Sequence, residues 1–327
     1  MKEKKIRQKL PSLLRWVLWV ILVQFILINI SAAFYAYRLT HFYTDKSPRK
    51  TQTSDNIFKK TWKLFTGPKY PKSMVSETPV FAYDTISLVT AKGKKIDAWY
   101  AKTDSISRGT VVLFHGIASN KGQLVAEANE FRYMGYNIMM VDFRAHGGSE
   151  GNLTTIGVRE AEEVKLAYDF IHDKGEKKIF LWGISMGAVV VMKALSDFSL
   201  QPAGVILELP FASLQSHLKA RARVLGFPQQ PFAFLVTGWI GIERGFNGYR
   251  HKTDNYAQKV NCPVLVQYGI KDSYVQKTEI EKVYNAIASG NKKLVGYEKA
   301  DHESLLLNEP LKWRREISEF LNRATDQ

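Results

Sequence analysis

Residues 178–195 read KIFLWGISMGAVVVMKAL: an apolar run, a serine flanked by glycines, and an apolar helical pattern in direct succession. Few backbones satisfy such a stretch. A strand must turn sharply into a helix within Gly183-Ile184-Ser185-Met186-Gly187, and glycines flank the serine because larger side chains would clash in so tight a turn. The same alternation extends along most of the chain. Short β-branched or apolar runs at 85–90, 96–101, 110–114, 137–141, 178–182, 204–207, 263–268 and 293–297 predict strands. The intervals 123–133, 158–172, 186–197, 275–288 and 309–322 predict helices. The first two strands form an antiparallel pair joined at Lys92-Gly93-Lys94, and the rest are apolar enough to be buried on both faces. Strands alternating with helices argue an α/β fold, with a mostly parallel sheet covered on both sides.

The rhythm breaks once. About fifty residues at 211–260 are too many for an ordinary connection, and they carry their own apolar residues with several Arg and Lys. This predicts a helical cap insertion over the edge of the sheet. Arg221, Arg223 and Trp239 lie within it and carry no role readable from sequence.

Residues 16–37, WVLWVILVQFILINISAAFYAY, hold no charge, and their 22 positions exceed the roughly 20 that a helix needs to cross the hydrocarbon. Trp16 and Trp19 at one end, with Tyr35 and Tyr37 at the other, suit the two interfaces. One transmembrane helix, retained as an anchor, is expected. The competing reading is a cleaved signal peptide, since Ser31-Ala32-Ala33 offers small residues behind a basic leader. Six Lys and Arg lie in the 15 residues before the span and four in the 15 after it. The positive-inside rule then makes residues 1–15 cytoplasmic and puts the body outside the cytoplasm, held to the cell membrane by a single pass. Residues 38–78 read as a basic juxtamembrane linker with interleaved aromatics, either a surface for anionic headgroups or a solvated linker with a short helix packed on the body. The body runs from 79 to 327.

The formal charge of +15 belongs largely to this N-terminal region. Residues 1–72 carry 15 Lys and Arg against Glu3, Asp45 and Asp55, whereas the other 255 residues carry 31 bases and 28 acids. Charge so placed beside a membrane span argues against a nucleic-acid partner. The single cysteine, Cys262, has no intramolecular disulfide partner.

Ser185 is the candidate nucleophile. A serine hydroxyl is weak at neutral pH and needs a histidine base oriented by an acid. His302 follows the last strand in a loop able to return to the sheet's C-terminal edge, and Asp272 follows the strand before it, completing the chain order Ser, Asp, His. Glu208 ends the strand before the insertion and is the alternative acid, while Asp301 adjoins His302 too closely in sequence to converge on it. Acyl transfer also needs two amides aimed at the developing oxyanion. The backbone N–H groups of Met186, just after the nucleophile, and of Ile117, in the turn His115-Gly116-Ile117-Ala118-Ser119, are the candidates. His115 reads as structural.

These residues together resemble the α/β-hydrolase superfamily over most of residues 80–325. The resemblance rests on His115-Gly116, the DFRAHGGSEG stretch at 142–151, GISMG, Leu209-Pro210-Phe211-Ala212-Ser213, Gly269 to Asp272, and Asp301-His302. The chain is most similar to the serine aminopeptidase-like and monoacylglycerol-lipase-like branch, which includes bacterial members with an N-terminal membrane anchor. The resemblance implies an eight-stranded, mostly parallel sheet and serine hydrolase chemistry without a cofactor. It also implies that Arg144 and His146 lie in a supporting loop and take no part in the chemistry. HGIAS stands where many lipases of the family carry HGGG, and the insertion is short beside a large lipase lid.

Glu160, Glu162 and Glu163 crowd one helix, but no histidine lies at ligand spacing, so a solvated helical face is expected and no metal. No phosphate-binding glycine loop is present in the sequence, and no cofactor is implied. The expected function is a carboxylesterase- or lipase-like serine hydrolase acting on a small-molecule or lipid-derived ester near the membrane. The alternatives are a serine peptidase or amidase, a thioesterase or an acyltransferase with the same triad, and, from another class, a noncatalytic scaffold of hydrolase fold.

Overall fold

The computed structural model describes residues 11–44, 58, 62, 65–67, 69–226 and 228–325. The start of the basic N-terminus and most of the expected 38–78 linker lie outside the described residues.

Eight strands form one sheet: β1 (Asp84–Val89), β2 (Lys95–Ala101), β3 (Thr110–Phe114), β4 (Asn137–Val141), β5 (Ile179–Ile184), β6 (Gly204–Glu208), β7 (Val264–Gly269) and β8 (Lys292–Tyr297). Their spatial order is β1-β2-β4-β3-β5-β6-β7-β8. Strand β2 runs antiparallel to β1 and β4, and every other pairing is parallel. The expected eight-stranded, mostly parallel sheet is what forms. Burial explains the sequence pattern, because β3, β6 and β7 are covered along their whole length while the edge strand β1 buries only Leu88. The β1–β2 hairpin closes where Thr90 N–H donates to Lys94 O at 2.9 Å.

The helices are α1 (Ser12–Thr40), α2 (Val125–Tyr133), α3 (Ala161–Asp173), α4 (Met186–Phe198), α5 (Leu214–Val224), α6 (Gln229–Arg244), α7 (Thr253–Ala257), α8 (Lys277–Ala286), α9 (Leu305–Asn308) and α10 (Pro310–Thr325). In α10, Trp313, Ile317, Phe320 and Leu321 recur at helical spacing and are buried. Helix α3 begins three residues later than its apolar pattern predicts. The cause is Glu160, whose carboxylate accepts from Thr155 N–H and the Thr154 hydroxyl at 2.8 Å and from Gly157 N–H at 3.0 Å, closing a turn ahead of the helix.

The insertion supplies α5, α6 and α7. Ser213 and Ser216 cap α5 reciprocally: the Ser213 side chain accepts from Ser216 N–H at 3.0 Å, and Ser216 Oγ accepts from Ser213 N–H at 2.9 Å. Helix α6 packs against α1.

Helix α1 is long and apolar enough to cross a membrane. It extends past the expected end at residue 37, and its two ends differ. Up to Ile28 its side chains are exposed, whereas Ala32, Tyr35, Ala36, Leu39 and Thr40 are buried against the body. The Tyr35 and Phe232 rings meet edge to face at 4.9 Å, Arg244 Nε donates to Thr40 Oγ1 at 2.7 Å, and Trp239 Nε1 donates to Asn29 Oδ1 at 3.4 Å. The chain then runs along the body, with Phe42 N–H donating to Asn152 O at 2.8 Å and Thr154 N–H to Thr40 O at 3.0 Å. Residues 38–43, expected to open a linker, are instead fixed to the body.

Candidate active site

Ser185 sits between β5 and α4 with φ 53° and ψ −114°, a strained backbone for a residue with a side chain. The turn holds because nothing larger than glycine fits beside it. A Cβ at Gly183 would lie 2.5 Å from the Gly187 carbonyl carbon, and one at Gly187 would lie 2.2 Å from Phe114 O. The same close approach brings the first turn of α4 against the end of β3. Ser185 N–H donates to Glu208 O at 2.8 Å, tying the turn to the neighbouring strand.

Parallel strands β7 and β8 deliver the partners to the same edge of the sheet. Ser185 Oγ lies 2.9 Å from His302 Nε2, and His302 Nδ1 lies 2.8 Å from Asp272 Oδ2. Asp272 Oδ1 accepts from the N–H groups of Tyr274 and Val275, each at 2.7 Å. An ionised carboxylate only accepts, so Nδ1 carries the proton and Nε2 presents its lone pair to the serine hydroxyl. The Asp272 side chain is 1% exposed and that of His302 is 20% exposed, so the carboxylate is shielded while the imidazole stays partly open to solvent. Asp301 stays off the imidazole as expected. Its Oδ1 accepts from Ser273 N–H and His302 N–H, each at 2.7 Å, and thereby holds the acid loop and the histidine loop together.

Glu208 does not reach His302. Its carboxyl is fully buried, and Oε1 accepts from Trp182 Nε1 at 3.0 Å and Trp313 Nε1 at 2.7 Å. Burial, reinforced by Glu127, pushes its pKa up to about 8.

Ile117 and Met186 are brought near the serine by different elements. Met186 opens α4, where first-turn N–H groups have no intrahelical acceptor. Ile117 follows Gly116, whose position lies against Ser185: a Cβ there would be 3.5 Å from Ser185 Cβ. The Ile117 N–H meets no acceptor among the described residues.

Two histidines support that turn from below. His115 Nδ1 donates to Gly116 O at 2.7 Å and its Nε2 accepts from Phe143 N–H at 3.1 Å. His146 Nδ1 donates to Arg144 O at 2.8 Å and its Nε2 accepts from Ala118 N–H at 3.1 Å. Both imidazoles are fully buried, and burial first of all lowers their pKa values, to about 4 for His115 and about 3 for His146. Neutral rings that each donate at one nitrogen and accept at the other suit a scaffold.

Glu160, just ahead of α3, and Glu162 and Glu163 in its first turn do not form the expected solvated face. Glu160 and Glu163 are fully buried, and Arg144 Nε donates to Glu163 Oε1 at 2.6 Å while its Nη2 donates to Glu162 Oε2 at 2.8 Å. A second buried cluster escaped the sequence reading. Lys121 Nζ bonds Asp142 Oδ2 at 2.6 Å and Asp97 Oδ2 at 2.7 Å, and lies 4.6 Å from the Trp99 ring. A lysine in a polar loop gives no sign of such burial; the only hint is the acid-rich DFRAHGGSEG segment that it enters.

Residues 105–239 match the family described as serine aminopeptidase, S33. Over 211 residues the chain is 26% identical to the lysophosphatidylserine lipase ABHD12 of Danio rerio, a match covering 61% of this chain and 52% of the fish protein, so the chain spans about half the length of that relative. An uncharacterised membrane protein of Saccharomyces cerevisiae is 26% identical over 231 residues, covering 69% of this chain and 76% of its own. Among solved structures, the Pyrococcus furiosus esterase Pf2001 superposes with a TM-score of 0.66 at 25% identity, over 78% of this chain and 97% of that one. Sheet order, the strained serine turn and these likenesses agree, and the chain belongs to the α/β-hydrolase superfamily.

Proposed function

We propose that the protein is a membrane-anchored serine hydrolase that cleaves a carboxylic ester of a lipid-derived or otherwise acylated substrate. The observation that carries this reading is the continuous hydrogen-bond chain from Ser185 Oγ through His302 to Asp272, with links of 2.9 and 2.8 Å. Ser185 attacks the ester carbonyl as His302 Nε2 takes its proton, and Asp272 stabilises the imidazolium that forms. The Ile117 and Met186 amides stabilise the tetrahedral oxyanion. His302 then protonates the leaving alkoxide, and water attacks the acyl-enzyme by the same route in reverse.

Two relatives support the ester over other acyl groups, one described as an esterase and one as a lysophosphatidylserine lipase. The aminopeptidase description of the matched family favours amide cleavage as the second reading. The exposed apolar part of α1 supports a bilayer anchor, because so large an apolar surface is costly in water. The buried contact of Ala32 and the hydrogen bond from Trp239 to Asn29 support its retention over cleavage near Ser31. We further place the catalytic body outside the cytoplasm, from the Lys and Arg excess before the span.

The test is hydrolysis of p-nitrophenyl esters from acetate to palmitate, beside a p-nitroanilide series, by the detergent-solubilised full chain. Ester turnover and fluorophosphonate labelling that both vanish in Ser185→Ala, with turnover also lost in His302→Ala, are expected. Anilide turnover without ester turnover would move the reading to a peptidase, and folded protein that neither turns over nor labels would leave a scaffold.

A further inference from the structure

Helix α5 lies over the acid and histidine loops. Arg223 Nη2 donates to Ser273 O at 2.8 Å and Tyr274 O at 3.1 Å, and the Tyr274 ring lies 5.3 Å from that of His302. On the same helix, His217 and Arg221 stand one turn apart on one face. His217 is only 7% exposed, its ring is 5.1 Å from that of Phe211, and its buried Nε2 has no hydrogen-bond partner among the described residues. Burial lowers its pKa to about 4, and His302 is near enough to add to that shift. The imidazole is therefore neutral and its Nε2 can donate to a ligand.

Arg221 is the stranger of the two. Its Nε is buried without a partner, and no carboxylate pairs with it among the described residues. Its contact is the Tyr70 ring, 4.8 Å from the guanidinium carbon. Burial lowers its pKa, and the groups that act the other way are the phenols of Tyr274, beside His302, and Tyr35, on α1. A half-buried guanidinium with no acid to neutralise it is costly unless an anion arrives from outside the protein. Tyr35 stands near the end of the apolar stretch of α1, so an anchor reading of that helix puts Arg221 on the side of the body that faces the membrane surface.

We propose that Arg221 and His217 form a subsite for a phosphate group carried on the alcohol side of the substrate's ester. This rests on the serine hydrolase reading and on α1 as the anchor. The planar guanidinium donates to two phosphate oxygens, and His217 Nε2 donates to a third. The substrate class is then a singly acylated glycerophosphate lipid. A neutral acylglycerol leaves both donors empty.

A water-soluble pair, 1-butyryl-glycerol and 1-butyryl-glycerol 3-phosphate, isolates the headgroup from the general attraction of a basic protein to anionic surfaces. In wild type kcat/KM favours the phosphate. Arg221→Gln should lower the ratio of the two values by roughly tenfold or more, mainly through KM, because a half-buried charged donor that only the phosphate can satisfy discriminates strongly. Arg221→Lys should recover part of that ratio, and His217→Gln should lower it by a smaller factor. A ratio unchanged while both rates fall together would mean that Arg221 only stacks on Tyr70, and would overturn the subsite; so would a wild type without preference. Calorimetric titration of glycerol 3-phosphate into Ser185→Ala protein gives a readout that needs no turnover. Binding weakened by adding Arg221→Lys, which keeps the charge should Arg221→Gln misfold, supports the subsite even where the hydrolase reading fails, and absence of binding sinks it.

Discussion

Asp272 and Glu208 follow or end neighbouring parallel strands, β7 and β6, and the two carboxyls live in opposite surroundings. Asp272 receives two backbone N–H groups on one oxygen and an imidazole on the other, so its negative charge is answered from both sides. Glu208 receives two indole N–H groups on one oxygen, while its other oxygen is buried without a partner among the described residues. Two neutral donors do not offset full burial, and the pKa rises to about 8. The contrast shows that position at the sheet's C-terminal edge is insufficient. What suits an acid to a histidine is a loop whose free amides hold one carboxylate oxygen and leave the other to the imidazole.

Replacing Asp272 by Asn tests this most severely. The amide cannot hold the imidazole in the required tautomer, and kcat on a p-nitrophenyl ester should fall by roughly 1,000 to 10,000-fold with little change in folding. A loss below about tenfold would mean that another group orients His302. Next in size is His146→Ala, which removes the acceptor for Ala118 N–H and loosens the turn bearing Ile117. A loss of roughly tenfold in kcat is expected, smaller than the 100 to 1,000-fold that deleting an oxyanion donor costs.

Glu208→Gln should leave ester turnover within about threefold of wild type, since Glu208 touches Trp182 and Trp313 and not His302. Its effect appears in stability against pH. The folded state keeps the Glu208 proton up to about pH 8, whereas the unfolded chain releases it near the ordinary 4.5, so the folded state binds more protons in between. Stability from this group is complete below pH 4.5 and is lost as pH rises towards 8. The Tm of Glu208→Gln relative to wild type should therefore climb between pH 5 and 8, and a flat difference would show that Glu208 is ionised when folded.

The histidines act with the opposite sense. His115, His146 and His251, held at about 4, 3 and 4, stay neutral when folded while the unfolded chain protonates them near 6.5. Stability should therefore fall as pH drops below 6.5 towards 4. Substituting His251, which lies away from the serine against Ile156 O and the Tyr256 hydroxyl, by Gln should blunt that fall slightly.

The GISMG turn was legible because its constraint is local: two glycines, a serine and the flanking apolar runs are adjacent in the chain. Asp272 and His302 were legible for a related reason, since each follows its strand directly and parallel strands end at one edge. Strand positions also agreed to within a residue or two, because burial on both faces writes a continuous apolar run into the sequence. Side-chain partnerships between distant segments were not legible. Glu160, Glu162 and Glu163 look like a charged helical face until Arg144 and the 154–157 turn are folded against them.

Local order along the chain thus specified the sheet, the tight serine turn and the candidates Ser185, His302, Asp272 and Glu208. Only folding in three dimensions separated Asp272 from Glu208, gave His146 its place under the Ile117 turn, docked the end of α1 on the cap and left Arg221 without an acid among the described residues. Backbone turns and strand burial depend on neighbours in sequence, whereas the state of a buried ionisable group depends on every donor, charge and apolar wall that distant segments bring around it.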